Sequence, residues 1–326
     1  MTNTFSFSIN KVWLYQALLG MAAFITVCVL QPFVFLPSLG GIGYTISFAP
    51  LVIVPIALSL ITIDQKHILQ RIAMIFHFPA AICAVVSMCV NTGSTSAMLA
   101  LPWLMQNLII AVYGIVFFLT VCDREKPLFQ QLPGVSVLMG CLYIPIAGVW
   151  LVSSNMGITF GFRSTIVLLT AAHFHYAGFA LSVLAGLGGF AVDKNKRFVH
   201  KLYYTTGWVV VFCPVFVAMG IIFSPLLEMV AACTLAVAII IFSATTAFGF
   251  SCRTWLSKIF FITAFLAMIA TMALAATYAM SEYYDWHVIS ISTMAITHGV
   301  ANAFGFTFLS LCAWLIEIKN KRSNNQ

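Results

Sequence analysis

The sequence predicts an all-α fold: a polytopic transmembrane helix bundle of about ten spans, with the N-terminus and the C-terminus both cytoplasmic. Composition, the length of the apolar runs and the placement of the basic residues predict it. Of the 326 residues, 62% are hydrophobic and 7% are charged. A soluble domain carries roughly 25% charged residues, so this chain cannot cover a globule with polar surface. A run of about 20 apolar residues crosses a bilayer as a helix. Such runs recur at about 12–36, 43–63, 71–91, 98–121, 134–153, 165–191, 203–223, 226–249, 258–280 and 288–316. The shortest joint is Ser224-Pro225, between the seventh and eighth runs.

Charge placement orients the spans. Numbered from the N-terminal segment, alternate connections hold Lys11; Lys66 and Arg71; Arg124 and Lys126; Lys194, Lys196, Arg197 and Lys201; Arg253 and Lys258; and Lys319, Lys321 and Arg322. These are 14 of the 15 basic residues, and the other connections hold only Arg163. Cytoplasmic loops attract Lys and Arg, so this set is expected inside. One span more or fewer would scramble the alternation. The net charge of +7 therefore describes a membrane topology and gives no ground for a nucleic-acid partner.

The first apolar segment is too long for a cleavable signal and lacks a small-residue cleavage site. The nine cysteines contain no C-x-x-C pair. Six of them (Cys28, Cys83, Cys141, Cys213, Cys233 and Cys312) fall inside spans, and only Cys89 falls near the outer surface. A disulfide framework is not expected. The longest connections are about 10–12 residues, too short for a soluble domain, so residues 1–326 read as a single transmembrane domain. The tail K-N-K-R-S-N-N-Q reads as a disordered cytoplasmic end. Ten spans can divide into two inverted halves of five, as in several secondary transporters, but no matching motifs mark such halves.

Orientation converts position into depth. The sixth span carries T-A-A-H-F-H-Y-A-G-F, residues 170–179. His173 and His175 lie eight to ten residues below its outer end, about 12–15 Å at the helical rise. His298, in the tenth span, lies at the same depth, with Asn302 one turn further on the same face. Gln106 and Asn107 in the fourth span and Pro214 in the seventh fall near this level, with Pro145 somewhat higher. Polar groups in lipid are costly and face the bundle interior. These residues are therefore candidates for one site in the outer half of the membrane, with Tyr176 beside them. Asp285, Glu228 and His287 are candidates for a polar outer entrance. His77 lies about two turns above the cytoplasmic start of the third span and reads as a separate possible ligand.

Residues two apart on an α-helix point to nearly opposite sides. His173 and His175 can meet two partners on opposite faces, or one can be a ligand while the other bonds to a neighbouring helix. Alternatively the helix is locally wound as a π-bulge, a feature enriched at functional sites. H-F-H-Y loosely resembles the helix of haem-copper oxidase subunit I that binds two haems. The H-H copper pair of those oxidases is missing, which excludes a terminal oxidase.

Together, A-A-H-F-H-Y-A-G-F (171–179) and T-H-G-V-A-N-A-F-G-F (297–306) resemble the YndJ-like bacterial integral membrane proteins. Those pair a histidine helix ending in Y-A-G-F with a later H-G-x-x-N-A-x-G-F helix. The match is close in these two segments and loose elsewhere. The resemblance implies that the sixth and tenth spans belong to one site, and it implies a multi-pass protein of the bacterial cytoplasmic (inner) membrane.

Two functional expectations follow. In the first, His173, His175 and His298 hold haem b or a transition metal (Zn, Cu or Fe). The protein then performs redox or isomerase-type chemistry on a lipophilic molecule, with Asn302, Tyr176, Asn107 and Gln106 binding the substrate. A metallohydrolase is disfavoured, because no carboxylate lies at this depth to act as base. In the second, the protein is a multi-span transporter or permease for a small, uncharged molecule. Membrane lipids are partners in either case.

Overall fold

The structure is a computed structural model that describes residues 8–30, 40–63, 67–286 and 288–323. Lys66, His287 and the final residues of the tail lie outside the described residues. All regular structure among the described residues is helical. Ten helices are long and apolar enough to cross a membrane. We number them α1 (Lys11–Leu30), α2 (Gly40–Leu60), α3 (Ile68–Met88), α4 (Ser94–Val121), α5 (Leu132–Met156), α6 (Ser164–Ala191), α7 (Arg197–Phe223), α8 (Pro225–Gly249), α9 (Trp255–Tyr283) and α10 (Ile291–Asn320). The ten runs in the sequence correspond one to one with these helices.

Local chemistry sets several boundaries. At the Ser224-Pro225 joint, the Ser224 hydroxyl accepts from the Leu227 amide as N-cap, and Pro225 occupies the first helical position. A one-residue turn suffices because Ser caps the free amides and Pro has no amide to lose. Thr254 caps α9 through Ser257, and Ser290 caps α10 through Thr293. Four helices contain π-wound stretches: Ala49–Ile53, Phe174–Ala180, Thr245–Gly249 and Ala301–Phe308. The first contains Pro50, and the second begins at the residue between His173 and His175. Of the three arrangements open to H-x-H, a local π-winding is therefore present. Pro79, Pro102, Pro145 and Pro214 sit within continuous helices.

Contacts divide the chain into two compact units. Unit 1 comprises residues 1–122 and 137–180; unit 2 comprises 123–136 and 181–326. The division falls inside α5 and α6 rather than between them.

Lipid tails are as apolar as leucine, so close packing and interhelical hydrogen bonds hold such units together. In unit 1, α2 is buried nearly all round. Ile46, Phe48, Leu51, Ile53, Leu58 and Leu60 are each 2% exposed or less. A helix apolar on every side is a buried one. Helix α1 lies directly on its π stretch: a Cβ at Gly20 would stand 1.7 Å from the Leu51 carbonyl oxygen. Helices α3 and α4 present Ala80, Ala81 and Ala84, and Ala97 and Ala100, as buried small residues. Asn155 donates to the Ser87 hydroxyl at 2.8 Å, and Ser96 donates to the Ser87 carbonyl at 2.6 Å. These bonds tie α3, α4 and α5 at one end.

Candidate functional site

Helix α4 builds the polar interior of unit 1. Its buried face carries Trp103, Gln106, Ile110 and Tyr113, each three or four residues from the next along one side of the helix. The Trp103 indole N–H donates to His175 Nε2 at 3.0 Å. The other ring nitrogen, His175 Nδ1, lies 2.8 Å from the Ala171 carbonyl. A carbonyl only accepts, so Nδ1 carries the proton and Nε2 is the acceptor. His175 is thus a neutral imidazole with both nitrogens engaged, and it is fully buried. His173 is exposed on unit 1, with Nδ1 2.8 Å from the Leu169 carbonyl. The two histidines thus face different surroundings: His175 is buried against Trp103 and His173 is exposed.

His77 joins this cluster rather than standing apart from it. Gln106 Nε2 donates to the Ala73 carbonyl at 3.2 Å and lies 3.4 Å from His77 Nδ1. Both amide hydrogens of Gln106 are used, so Nδ1 is an acceptor and the His77 proton sits on Nε2. The imidazole is held edge to face between two indoles. Its centroid lies 5.1 Å from that of Trp13 and 5.6 Å from that of Trp103. Counting from the third apolar run at residue 71 places His77 about two turns above the cytoplasmic start of that span. Helix α3 in fact begins at Ile68, which puts His77 about 13 Å along it, beside the middle of α4.

Several atoms of this interior have no hydrogen-bond partner: His77 Nε2, Gln106 Oε1, and both the oxygen and the nitrogen of Gln70 and of Asn107. The Pro50 carbonyl, in the π stretch of α2, lies close enough to interact with the His77 ring without completing a bond to Nε2. All four side chains are at most 1% exposed. Gln70 lies two turns from His77 on the same face of α3. Asn107 turns to the other flank of α4, where its amide nitrogen would stand 2.7 Å from a Cβ at Gly148 of α5. Gln106 and Asn107 therefore serve different contacts. Tyr176 is buried, and its hydroxyl donates to the Thr45 carbonyl of α2 at 2.8 Å. Gly178 lets this part of α6 approach α5, since a Cβ there would lie 3.0 Å from Tyr143.

Unit 2 contains a second network. Thr271 Oγ1 donates to Asn302 Oδ1 at 2.8 Å, Asn302 Nδ2 to His298 Nε2 at 2.9 Å, and His298 Nδ1 lies 3.0 Å from the Thr271 carbonyl. The three residues close a ring between α9 and α10 at the start of the π stretch. His298 has the same neutral tautomer as His175, with both nitrogens engaged. Of the outer-entrance candidates, Glu228 has Glu282 as an electrostatic neighbour. Asp285 is exposed on a turn with φ of 58°, and His287 is outside the described residues. A small cavity of about 10 Å³, bordered by Phe242, Ser243, Thr246, Phe306, Ser310 and Trp314, has room for one water.

Among the described residues, no three His, Cys, Asp or Glu side chains are grouped so as to hold a metal ion. Nor is any Asp, Glu, Lys or Arg among them buried. The interior of unit 1 is therefore polar but uncharged. Sequence reasoning misses Trp103, Trp13, Gln70 and Thr271. The signal for the first was available: Trp103 lies one turn before Gln106 on the same helix face.

Comparison with known proteins is consistent with this membrane architecture. The chain is 28% identical over 239 residues to the "Uncharacterized membrane protein YndJ" of Bacillus subtilis (strain 168). That alignment covers 73% of this chain and 41% of the relative, so it spans less than half the relative's length. No solved structure matches. The YndJ-like protein family matches residues 44–306, a range that contains His77, Trp103, Gln106, His175, His298 and Asn302. With most of its length matched, the chain belongs to the YndJ-like family of membrane proteins.

Proposed function

We propose that the protein is a permease of the bacterial cytoplasmic membrane that holds a small, uncharged, hydrogen-bonding molecule inside unit 1. One observation carries this reading. Among the buried polar atoms of unit 1 without partners, six lie on Gln70, His77, Gln106 and Asn107. Each such atom costs about 1–3 kcal/mol when buried. Six together cost on the order of 10 kcal/mol, comparable to the whole stability of a domain. A guest that completes even two of these hydrogen bonds relieves part of that cost. No Asp, Glu, Lys or Arg among the described residues is buried, and this supports a neutral guest, because an ion would have to shed its water with no buried charge to replace it.

The competing reading is a haem or transition-metal centre on His173, His175 and His298, acting on a lipophilic molecule. The donor chemistry fits it poorly. Ligation through His175 would break its bond to Trp103, and ligation through His298 would break its bond to Asn302.

The test separates the two. The protein is purified in mild detergent, its absorption spectrum and metal content are recorded, and it is then reconstituted into vesicles for solute flux. The permease reading expects no Soret band, no stoichiometric metal and flux of a neutral solute. A Soret band or bound metal that disappears in His298→Ala, with no flux, would overturn it.

A further inference from the structure

Resting on the permease reading, we propose that the guest is a small planar amide, of the urea or acetamide type, and that His77 and Gln106 are the pair that selects it. The tautomers fix what each group offers. Gln106 uses both amide hydrogens on Ala73 and His77, so its unpaired atom is the acceptor Oε1. His77 accepts at Nδ1, so its unpaired atom is the donor Nε2–H. At this point the interior therefore presents one donor and one acceptor on two side chains that touch each other. Gln70 and Asn107 repeat the pattern, since each keeps a whole carboxamide unpaired, with an N–H₂ donor beside a C=O acceptor.

The complement of a donor beside an acceptor is an acceptor beside a donor on adjacent atoms of one rigid group. An amide presents these as C=O and N–H in one plane. A hydroxyl must use a single oxygen for both contacts. An apolar molecule leaves both atoms unpaired, and an ion meets no counter-charge. The repeat spacing also fits a passage: Gln70 and His77 share a face of α3 about 10 Å apart. The pair at His77 is rigid. Trp13 and Trp103 close on the imidazole, and Trp103 is itself fixed by His175. Rigid donors lose little freedom on binding, which favours selection by geometry.

The test uses the full chain in phosphatidylethanolamine–phosphatidylglycerol vesicles, with stopped-flow light scattering after osmotic gradients of urea, acetamide, glycerol or KCl. The expected result is amide entry about tenfold faster than in protein-free vesicles, the scale of one hydrogen bond in affinity terms, with glycerol and KCl at the protein-free rate. Gln106→Leu and His77→Phe each remove one partner and are expected to return amide flux to near background, in protein that still elutes as one species on gel filtration. Glycerol flux without amide flux would overturn this inference and leave the permease reading standing. No neutral flux from folded protein would overturn both. Undiminished amide flux in the folded variants would overturn the assignment of His77 and Gln106. Should both variants fail to fold, the preference of the unmodified chain for amides over glycerol decides the matter alone.

Discussion

Trp103→Phe tests the core of unit 1. The indole and His175 are both fully buried, joined by a 3.0 Å bond and stacked with centroids 5.9 Å apart at 14°. Interhelical hydrogen bonds inside membranes contribute about 0.6 kcal/mol on average, with a maximum near 1.7. Phenylalanine removes that bond and also leaves His175 Nε2 buried without a donor, which costs about 1–3 kcal/mol. It further removes part of the indole volume, a fraction of the roughly 3–5 kcal/mol of a full Trp→Ala truncation. The expected loss is about 2–3 kcal/mol. His175→Phe strands the indole N–H and should cost a similar amount. The double variant strands neither group, so it should be more stable than the sum of the two losses by about 1 kcal/mol. Denaturant titration in detergent, followed by circular dichroism, measures all three. Strict additivity, or an unaffected single variant, would refute the claim that these two side chains satisfy one another.

Other consequences are simpler to check. Gly20→Ala places a Cβ 1.7 Å from the Leu51 backbone oxygen and should largely abolish folded protein, whereas Gly299→Ala, with nothing within 4 Å, should be tolerated; gel-filtration yield compares them. Asn302→Leu breaks two sides of the Thr271–Asn302–His298 ring at once. It should lower stability by about 1–2 kcal/mol and raise hydrogen exchange in α9 and α10. Reporter fusions at the N- and C-termini should both report the cytoplasm, and a fusion near Arg163 the opposite side; a split result would contradict the charge-based topology.

The spans were legible in the sequence because each is written locally. Hydropathy marks a helix one run at a time, and even the Ser224-Pro225 turn carries its own cap. The different roles of His173 and His175 were legible for the same reason, since helical geometry alone separates them. What was not legible depends on the neighbours. His77 looked remote because its depth was counted from residue 71, three residues past the true start of α3. Trp103 reads from sequence as one more apolar residue in a span, and only packing shows its N–H directed at His175. Gln70, near a helix end, carries no mark in the sequence of its full burial. The π stretches in α2, α8 and α10 leave no periodic mark that hydropathy can register. Depth also suggested that His173 or His175 shares a site with His298; the side-chain bonds that hold His175 and His298 are written only in the packing, each within its own unit.

An uncharged, hydrogen-bonding interior requires that these imidazoles be neutral and that each proton sit on a particular nitrogen. Histidine-selective ¹⁵N solid-state NMR of the protein in bilayers reads this directly, with assignment by His77→Phe, His175→Phe and His298→Phe. The prediction is that all three are neutral near pH 7, with the proton on Nδ1 in His175 and His298 and on Nε2 in His77. An imidazolium signal or a metal-shifted resonance at any of the three would contradict an uncharged, hydrogen-bonding interior.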